Sequence, residues 1–260
     1  MKRLLCLALV LVLVGLMACP VSALEYTGSD LYMAGKYYQA LTEVKLTGDQ
    51  RTDIVNVALS QLGYQEGGSG NQLSGEVFGG VNHTEYGNWF GMQDMWCAMF
   101  VSWCAERAGI SENIVPKHAY TPYGLQFFRE RDLNHDQAEL AAGEYIPQPG
   151  DIIYFRSSRS TKRTNHVGLV TGYADGIIYT IEGNINSLYT YTNGGMVTAM
   201  SYPVTNTFIV SVCSPRYIQG GTSAEAEPNP LGLLGGTLSG LRSATDMIKA
   251  QTALIREPSA

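Results

Sequence analysis

Cysteine is scarce in this chain of 260 residues, which contains five. Cys6 and Cys19 fall near the N-terminus, leaving Cys97, Cys104 and Cys213 for the body of the protein. Three thiols do not make a disulfide framework, and one is left over whatever pairs. Cys97 and Cys104 lie seven residues apart in a helical pattern, which sets their Cα atoms roughly 10 Å apart, beyond disulfide reach. No Cys/His group has zinc-ligand spacing. Positive charge is also short: 17 Lys and Arg face 23 Asp and Glu, a formal net charge of −6. That balance argues against a nucleic-acid partner. Long apolar runs are absent after the first two dozen residues, and residues 4–17 are too short to span a bilayer as a helix. No tandem repeat marks a solenoid or a binding array.

The N-terminus reads as a secretory leader. Lys2-Arg3 is a basic n-region, residues 4–17 an apolar h-region, and Val21-Ser22-Ala23 a small-residue cleavage site. Cleavage after Ala23 is expected, giving a secreted or wall-associated protein. The competing reading is a lipoprotein attached at Cys19, in Leu16-Met17-Ala18-Cys19; Met17 and Pro20 fit that pattern less well. Losing Lys2 and Arg3 leaves 15 cations against 23 anions, a formal charge of −8. Such a chain has no general attraction to anionic wall polymers, so any targeting must be local.

Residues 24–47 carry four tyrosines without a clear period and read as an N-terminal extension. Residues 49–62 read as an amphipathic helix, with Ile54, Val57, Ala58 and Leu62 on one face and Gly63 as its stop. Residues 63–91 are rich in Gly, Asn and Ser and read as loop. Asp94 is the expected N-cap of a second helix that Gly109 ends. Its sides are apolar nearly all round, so it is expected to be buried. A short helix is expected near 125–131. After the turn Pro147-Gln148-Pro149-Gly150 the pattern changes to strands at 151–155, 166–173, 177–181 and 207–212. Helices followed by strands predict an α+β fold with a mainly antiparallel sheet. Residues 218–260 read as a Gly/Pro-rich linker with a short tail helix. The expected division is thus 1–23 leader, 24–47 extension, 48–217 main domain and 218–260 tail.

Three residues carry the chemistry. With Asp94 as N-cap, Cys97 would sit on the first turn of the buried helix, where unpaired amides and the helix dipole favour a thiolate. The competing role is a packed core thiol. Among the four histidines, His83 and His135 lie in polar loops, and His118 is a competitor for a site role. His166 opens an apolar strand, where a polar side chain needs a partner. A three-residue loop, Ala174-Asp175-Gly176, would pair Tyr173 with Ile177, and counting back sets His166 opposite Asn184 and Gly168 opposite Glu182. Glu182 then becomes a diagonal neighbour that orients the imidazole. A two-residue loop would slip the register by one and turn these groups to the wrong face. Without the thiol, the cluster would read as an inert strand-end polar group.

The ordered motifs Tyr86-Gly87-Asn88-Trp89-Phe90-Gly91, Trp96-Cys97-Ala98-Met99-Phe100-Val101-Ser102-Trp103-Cys104, Pro149-Gly150-Asp151-Ile152-Ile153-Tyr154-Phe155, Asn165-His166-Val167-Gly168-Leu169-Val170 and Ile181-Glu182-Gly183-Asn184 resemble the CHAP family. These are cysteine- and histidine-dependent amidohydrolases and peptidases of the papain-like superfamily. The resemblance covers roughly residues 50–215. It implies a papain-like CHAP fold, with Cys97 as nucleophile, His166 as base, Glu182 as third member and Asn184 assisting. It implies cleavage of amide bonds in peptidoglycan peptides, by an endopeptidase or an N-acetylmuramoyl-L-alanine amidase. Some members bind calcium through an acidic loop before the nucleophile. Residues 65–95 show no Asp-x-Asp-x-x-Gly run, so no metal or other cofactor is expected. Tyr86, Trp96, Arg156 and Arg163 are candidates for oxyanion or substrate contacts. The cationic stretch Arg156, Arg159, Lys162 and Arg163 is expected either to meet substrate carboxylates or to be a solvated loop. The expected partner is a peptidoglycan peptide, bound by a monomer with no nucleic acid and no stable membrane span. Two rival readings are a catalytically silent wall-binding module and an amidase acting on a soluble amide.

Overall fold

The computed structural model describes residues 27–66, 82–157, 163–186, 190–193 and 195–220. The leader, the expected tail helix and the cations Arg159 and Lys162 lie outside the described residues. In the helical half, α1 (Asp30–Met33) and α2 (Lys36–Glu43) precede α3 (Gln50–Ser60), α4 (Glu85–Phe90), α5 (Cys97–Arg107) and α6 (Thr121–Arg129). After β1 (Asn134–Asp136) and α7 (Gln137–Ala142) come β2 (Ile152–Phe155), β3 (His166–Ala174), β4 (Ile177–Asn186), β5 (Thr190–Asn193), β6 (Met196–Pro203) and β7 (Ile209–Cys213). The strands form one sheet in the order β1-β7-β2-β3-β4-β5, with β6 also on β4, and the pairings are antiparallel. This is the α+β architecture with an antiparallel sheet that the sequence predicts.

Local chemistry explains the helix starts. The Asp49 carboxylate accepts from the Thr52 N–H at 2.8 Å and opens α3. The Thr84 hydroxyl accepts from the Gly87 N–H at 2.9 Å and opens α4, which Gly91 ends at φ 94°. Serine, threonine and aspartate satisfy amides that a helix start leaves unpaired. Helix α5 departs from expectation. Its cap position is Trp96, which makes no side-chain cap bond, and Cys97 is the first helical residue. The Asp94 carboxylate instead accepts from the adjacent Met95 N–H at 2.7 Å. It spends itself one residue on and does not cap the helix.

Helix α5 is the core of the molecule. Met99, Phe100, Val101, Trp103 and Cys104 have no solvent exposure. Burying a large apolar side chain contributes about 1.5–3 kcal/mol, so the burial of these side chains stabilises the helical layer. Residues 27–47 contain two short helices, α1 and α2, where the sequence showed no period: Tyr32, Tyr37 and Leu41 join the same core cluster as α5. They are held by Gln61, whose side chain accepts from the Tyr32 hydroxyl at 2.9 Å and donates to the Tyr37 carbonyl at 3.1 Å. The chain after β7 is pinned back on α3: the Ile218 N–H donates to Gln50 Oε1 at 2.9 Å, and the Gly220 N–H to the Gly48 carbonyl at 2.9 Å.

The sheet divides its side chains between two clusters. Ile152 and Tyr154, with Val167, Leu169 and Ile181, meet the helices. Ile153 and Phe155, with Val170, Ile178 and Tyr202, pack with Leu140 of α7 in a second cluster. This is the period-2 alternation of a strand covered on both faces.

The β3–β4 hairpin corrects the expected loop. Ala174 pairs with Ile177, so the turn has two residues, Asp175 and Gly176, both at positive φ (50° and 76°). That is the mirror-image turn favoured by strand twist. Its one-residue slip is then cancelled. Gly172 pairs with Tyr179 but Val170 with Thr180, so Thr171 is an extra residue, a β-bulge. Beyond the bulge Leu169 pairs with Ile181, which sets Gly168 opposite Glu182 as expected, by a different route.

Candidate active site

Cys97 and His166 are each the first residue of their element, α5 and β3. His166 faces the second cluster, away from the helices: its Cα partner is Phe155, and the two rings lie 5.8 Å apart. At the strand's first residue the imidazole can still meet the thiol. Cys97 is 4% exposed and His166 7%, and the thiol lies close enough to raise the pKa of the imidazole.

The other side of the ring meets Glu182. The His166 Nε2–H donates to Glu182 Oε2 at 2.7 Å. This leaves Nδ1 as the ring nitrogen available to Cys97. Glu182 has no solvent exposure. A carboxylate buried this fully is costly unless several donors meet it. The Thr180 hydroxyl donates to Oε1 at 2.5 Å and the Tyr202 hydroxyl to Oε2 at 3.2 Å. Burial by itself would depress the imidazole, but hydrogen bonds and charge from Cys97 and Glu182 outweigh it. Together they raise the His166 pKa to about 10. The ring therefore holds a second proton at neutral pH.

Two glycines make room for this arrangement. A Cβ on Gly168 would lie 2.5 Å from Glu182 Cγ, so only glycine lets the carboxylate cross over β3. A Cβ on Gly183 would lie 2.7 Å from the Trp96 ring and 2.8 Å from Phe100 Cβ. Strand β4 thus touches the start of α5, and the carboxylate strand is keyed to the thiol helix through Trp96. The Trp96 indole N–H donates to Glu66 Oε2 at 2.9 Å. Trp96 is fully buried, so it positions its neighbour. Asn184 is 8% exposed and left-handed at φ 60°, where β4 bulges against β6 between Glu182 and Ile185. Asparagine tolerates that conformation better than most residues.

Tyr86 is not at the cleft. It has no exposure, its ring stacks on Trp96 at 5.4 Å, and its hydroxyl donates to Gln61 at 3.3 Å. An aromatic cluster with Tyr64, Phe100 and Trp103 encloses it. It has no route to an oxyanion.

His118, the competing histidine, is a satisfied core residue. Its Nδ1–H donates to the Pro116 carbonyl at 2.9 Å, and its backbone N–H to the Ser102 hydroxyl at 3.0 Å. Burial lowers its pKa to about 4 despite the bond to Pro116, so it stays neutral. His135 stacks on Tyr145 at 3.6 Å and pairs with Glu139 at 3.2 Å. Cys104 and Cys213 are unexposed free thiols, both pushed up by burial.

A cleft of about 220 Å³ opens beside Cys97. Met95, Ala119 and Tyr120 line it from the helical half, and Arg163, Thr164 and Asn165 from the turn into β3. Arg156 is engaged elsewhere: its guanidinium donates to the Thr207 carbonyl at 2.7 and 3.1 Å.

Residues 86–184 match the family model of the CHAP domain, a stretch that contains Cys97, His166, Glu182 and Asn184. This stretch is a CHAP domain. CHAP domains are generally hydrolases, acting as amidases or peptidases. Neither a curated protein nor a solved structure matches the chain.

Sequence reasoning missed Thr180 and Tyr202. Thr180 lies two residues before Glu182 and shares its face, so strand period alone could have found it. Tyr202 needed β6, which sequence reading did not assign; Ile178 pairs with Tyr202 across that strand.

Proposed function

We propose that the CHAP domain is an exported cysteine amidohydrolase or peptidase that cuts amide bonds in peptidoglycan peptides. The observation that supports this best is His166, which donates to a fully buried Glu182 carboxylate at 2.7 Å and whose pKa the nearby Cys97 thiol helps to raise. In this reading the thiolate Sγ attacks the scissile carbonyl carbon, and the carbonyl oxygen becomes an oxyanion. The Cys97 backbone N–H, one of the amides that a helix start leaves unpaired, donates to it. His166 gives its Nδ1 proton to the leaving amine, and a thioester remains. Water then loses a proton to His166 and attacks the thioester, releasing the acid and the thiol. Glu182 fixes the ring's tautomer and balances the imidazolium charge throughout. Asn184 supports the ring's end of the strand.

The catalytic unit spans 48–217 in this reading, the leader leaves after Ala23, and the mature protein is a secreted or wall-associated monomer. Digestion of purified cell walls, with mass spectrometry of the released fragments, tests the activity and names the bond. Cys97→Ala should abolish release and retain the fold, whereas Cys104→Ala should still digest. A Cys97→Ala protein that digests at the native rate refutes the nucleophile. Native protein that binds walls but releases nothing refutes hydrolysis in favour of a silent binding module. Turnover confined to small soluble amides would move the substrate away from the wall.

A further inference from the structure

Trp96, the residue before the thiol, stands at the start of α5 without a capping bond from its side chain. Its ring stacks on Tyr86 at 5.4 Å and meets the Tyr64 ring edge-on at 6.2 Å. Ring packing alone lets an indole slide or turn, whereas a hydrogen bond gives it a direction. The indole N–H is the one polar group of this fully buried side chain, and it donates to Glu66 Oε2 at 2.9 Å. Glu66 is in turn fastened by the backbone around it. Its N–H donates to the Gly195 carbonyl at 2.8 Å, the Val197 N–H donates to the Tyr64 carbonyl at 2.8 Å, and Gln65 bridges to Met196 of β6. Strand β6 pairs with β4, with Thr198 opposite Glu182. Trp96 is therefore tied to the carboxylate strand at two points. One is direct, where its ring fills the space that a Gly183 side chain would need; the other runs through Glu66 and β6.

We propose that Glu66 is a positioning residue of the active site: by holding the Trp96 indole, it sets where Cys97 stands relative to His166 and Glu182. The carboxylate gives the indole a charge-assisted bond. Without it a buried donor is left unmet, and the ring turns toward another acceptor. Cys97 is joined to Trp96 through the backbone, so the thiol moves with the ring. A small displacement is costly there, because reacting atoms must meet within a narrow geometry. Glu66 acts only through Trp96 in this scheme. Its effect on peptide hydrolysis rests on the hydrolase reading; its effect on the thiol does not.

The test is chosen to separate the two. Alkylation by iodoacetamide, in which Cys97 Sγ displaces iodide, reads the thiol without any hydrolysis. Cys104 and Cys213 are unexposed, and Cys97→Ala supplies the blank. Glu66→Gln keeps the reach and the acceptor, whereas Glu66→Asp keeps the charge and falls short by one methylene. Glu66→Asp and Glu66→Ala should slow alkylation at neutral pH on the order of fivefold, and Glu66→Gln by less than about twofold. Glu66→Asp carries the test if Glu66→Ala does not fold. On wall peptides Glu66→Asp should lower kcat on the order of tenfold with KM near the native value. In a Trp96→Phe background, which lacks the donor, Glu66→Asp should slow alkylation no further. Native alkylation in Glu66→Asp overturns the positioning role even if walls are digested. Equal slowing in Glu66→Gln and Glu66→Asp overturns the hydrogen bond as its cause. The same slowing repeated in the Trp96→Phe background overturns the path through the indole. Slowed alkylation that Glu66→Gln avoids, in a protein that cleaves no wall peptide, supports the positioning role and refutes the hydrolase reading.

Discussion

Glu182→Gln keeps the size of the side chain and an acceptor oxygen but removes the charge. That charge faces His166 at 2.7 Å in a place with no solvent exposure. An opposite charge at such a distance moves a titrating group by roughly 1–3 units, or about 1.4–4 kcal/mol. Burial pulls the imidazole down, while Cys97 and Glu182 raise it to about 10. With Glu182 neutral and Cys97 retained, His166 should titrate roughly 1–3 units lower. Nitrogen NMR of histidine-labelled protein reads this directly, and His118, neutral with a pKa lowered to about 4, serves as an internal control. The effect on stability has a defined sign. A proton bound more tightly in the folded state stabilises fully below the unfolded value of about 6.5. That contribution is lost as pH rises through the folded value. The variant should therefore lose it at lower pH than the native protein, and the alkaline limb of kcat/KM should move down with the titration. If His166 titrates alike in both proteins, Glu182 does not hold its charge and the proposed triad loses its third member.

Gly183→Ala should destabilise by about 1–3 kcal/mol by overpacking, because the new Cβ meets Trp96 at 2.7 Å and Phe100 at 2.8 Å. It should also lower kcat by displacing Glu182; an unchanged urea midpoint would show that the joint is loose. Asp151→Asn should cost about 3 kcal/mol, since the unexposed carboxylate pairs with Arg51 at 2.7 Å and accepts from Tyr145 at 2.6 Å. Denaturant melts should show the loss while kcat per folded molecule persists, and a loss of kcat alone would place Asp151 in the site.

The parts of the site visible in the sequence were those with a strong local signal. The apolar wrap of α5 announced a buried helix, and a histidine opening an apolar strand announced a polar partner. Where the α5 helix starts was less legible, because a good capping residue at Asp94 bonds its own neighbour while an uncapped Trp96 is held by packing. The Cys97 placement survived that shift because either start leaves it on the first turn. Residues 27–47 hid their helices because Tyr32 and Tyr37 answer to Gln61, a contact across the fold with no local period. Tyr86 looked available for the same reason: a tyrosine in a motif reads alike whether its hydroxyl meets a cleft or a buried glutamine. The register of the active hairpin was reached through a loop that the protein does not have.

That hairpin limits how the chain can change length. The two-residue turn and the bulge at Thr171 are offsets of one residue in opposite senses, and together they leave Gly168 opposite Glu182. A single insertion or deletion in either would carry one strand's side chains to the other face of the sheet. Paired changes, one in the turn and one at the bulge, would leave the far end undisturbed. Single-step drift in loop length, harmless in most surface hairpins, is closed to this one. Its tip lies far along the strand from the chemistry, yet it is under the same constraint as the residues that perform it.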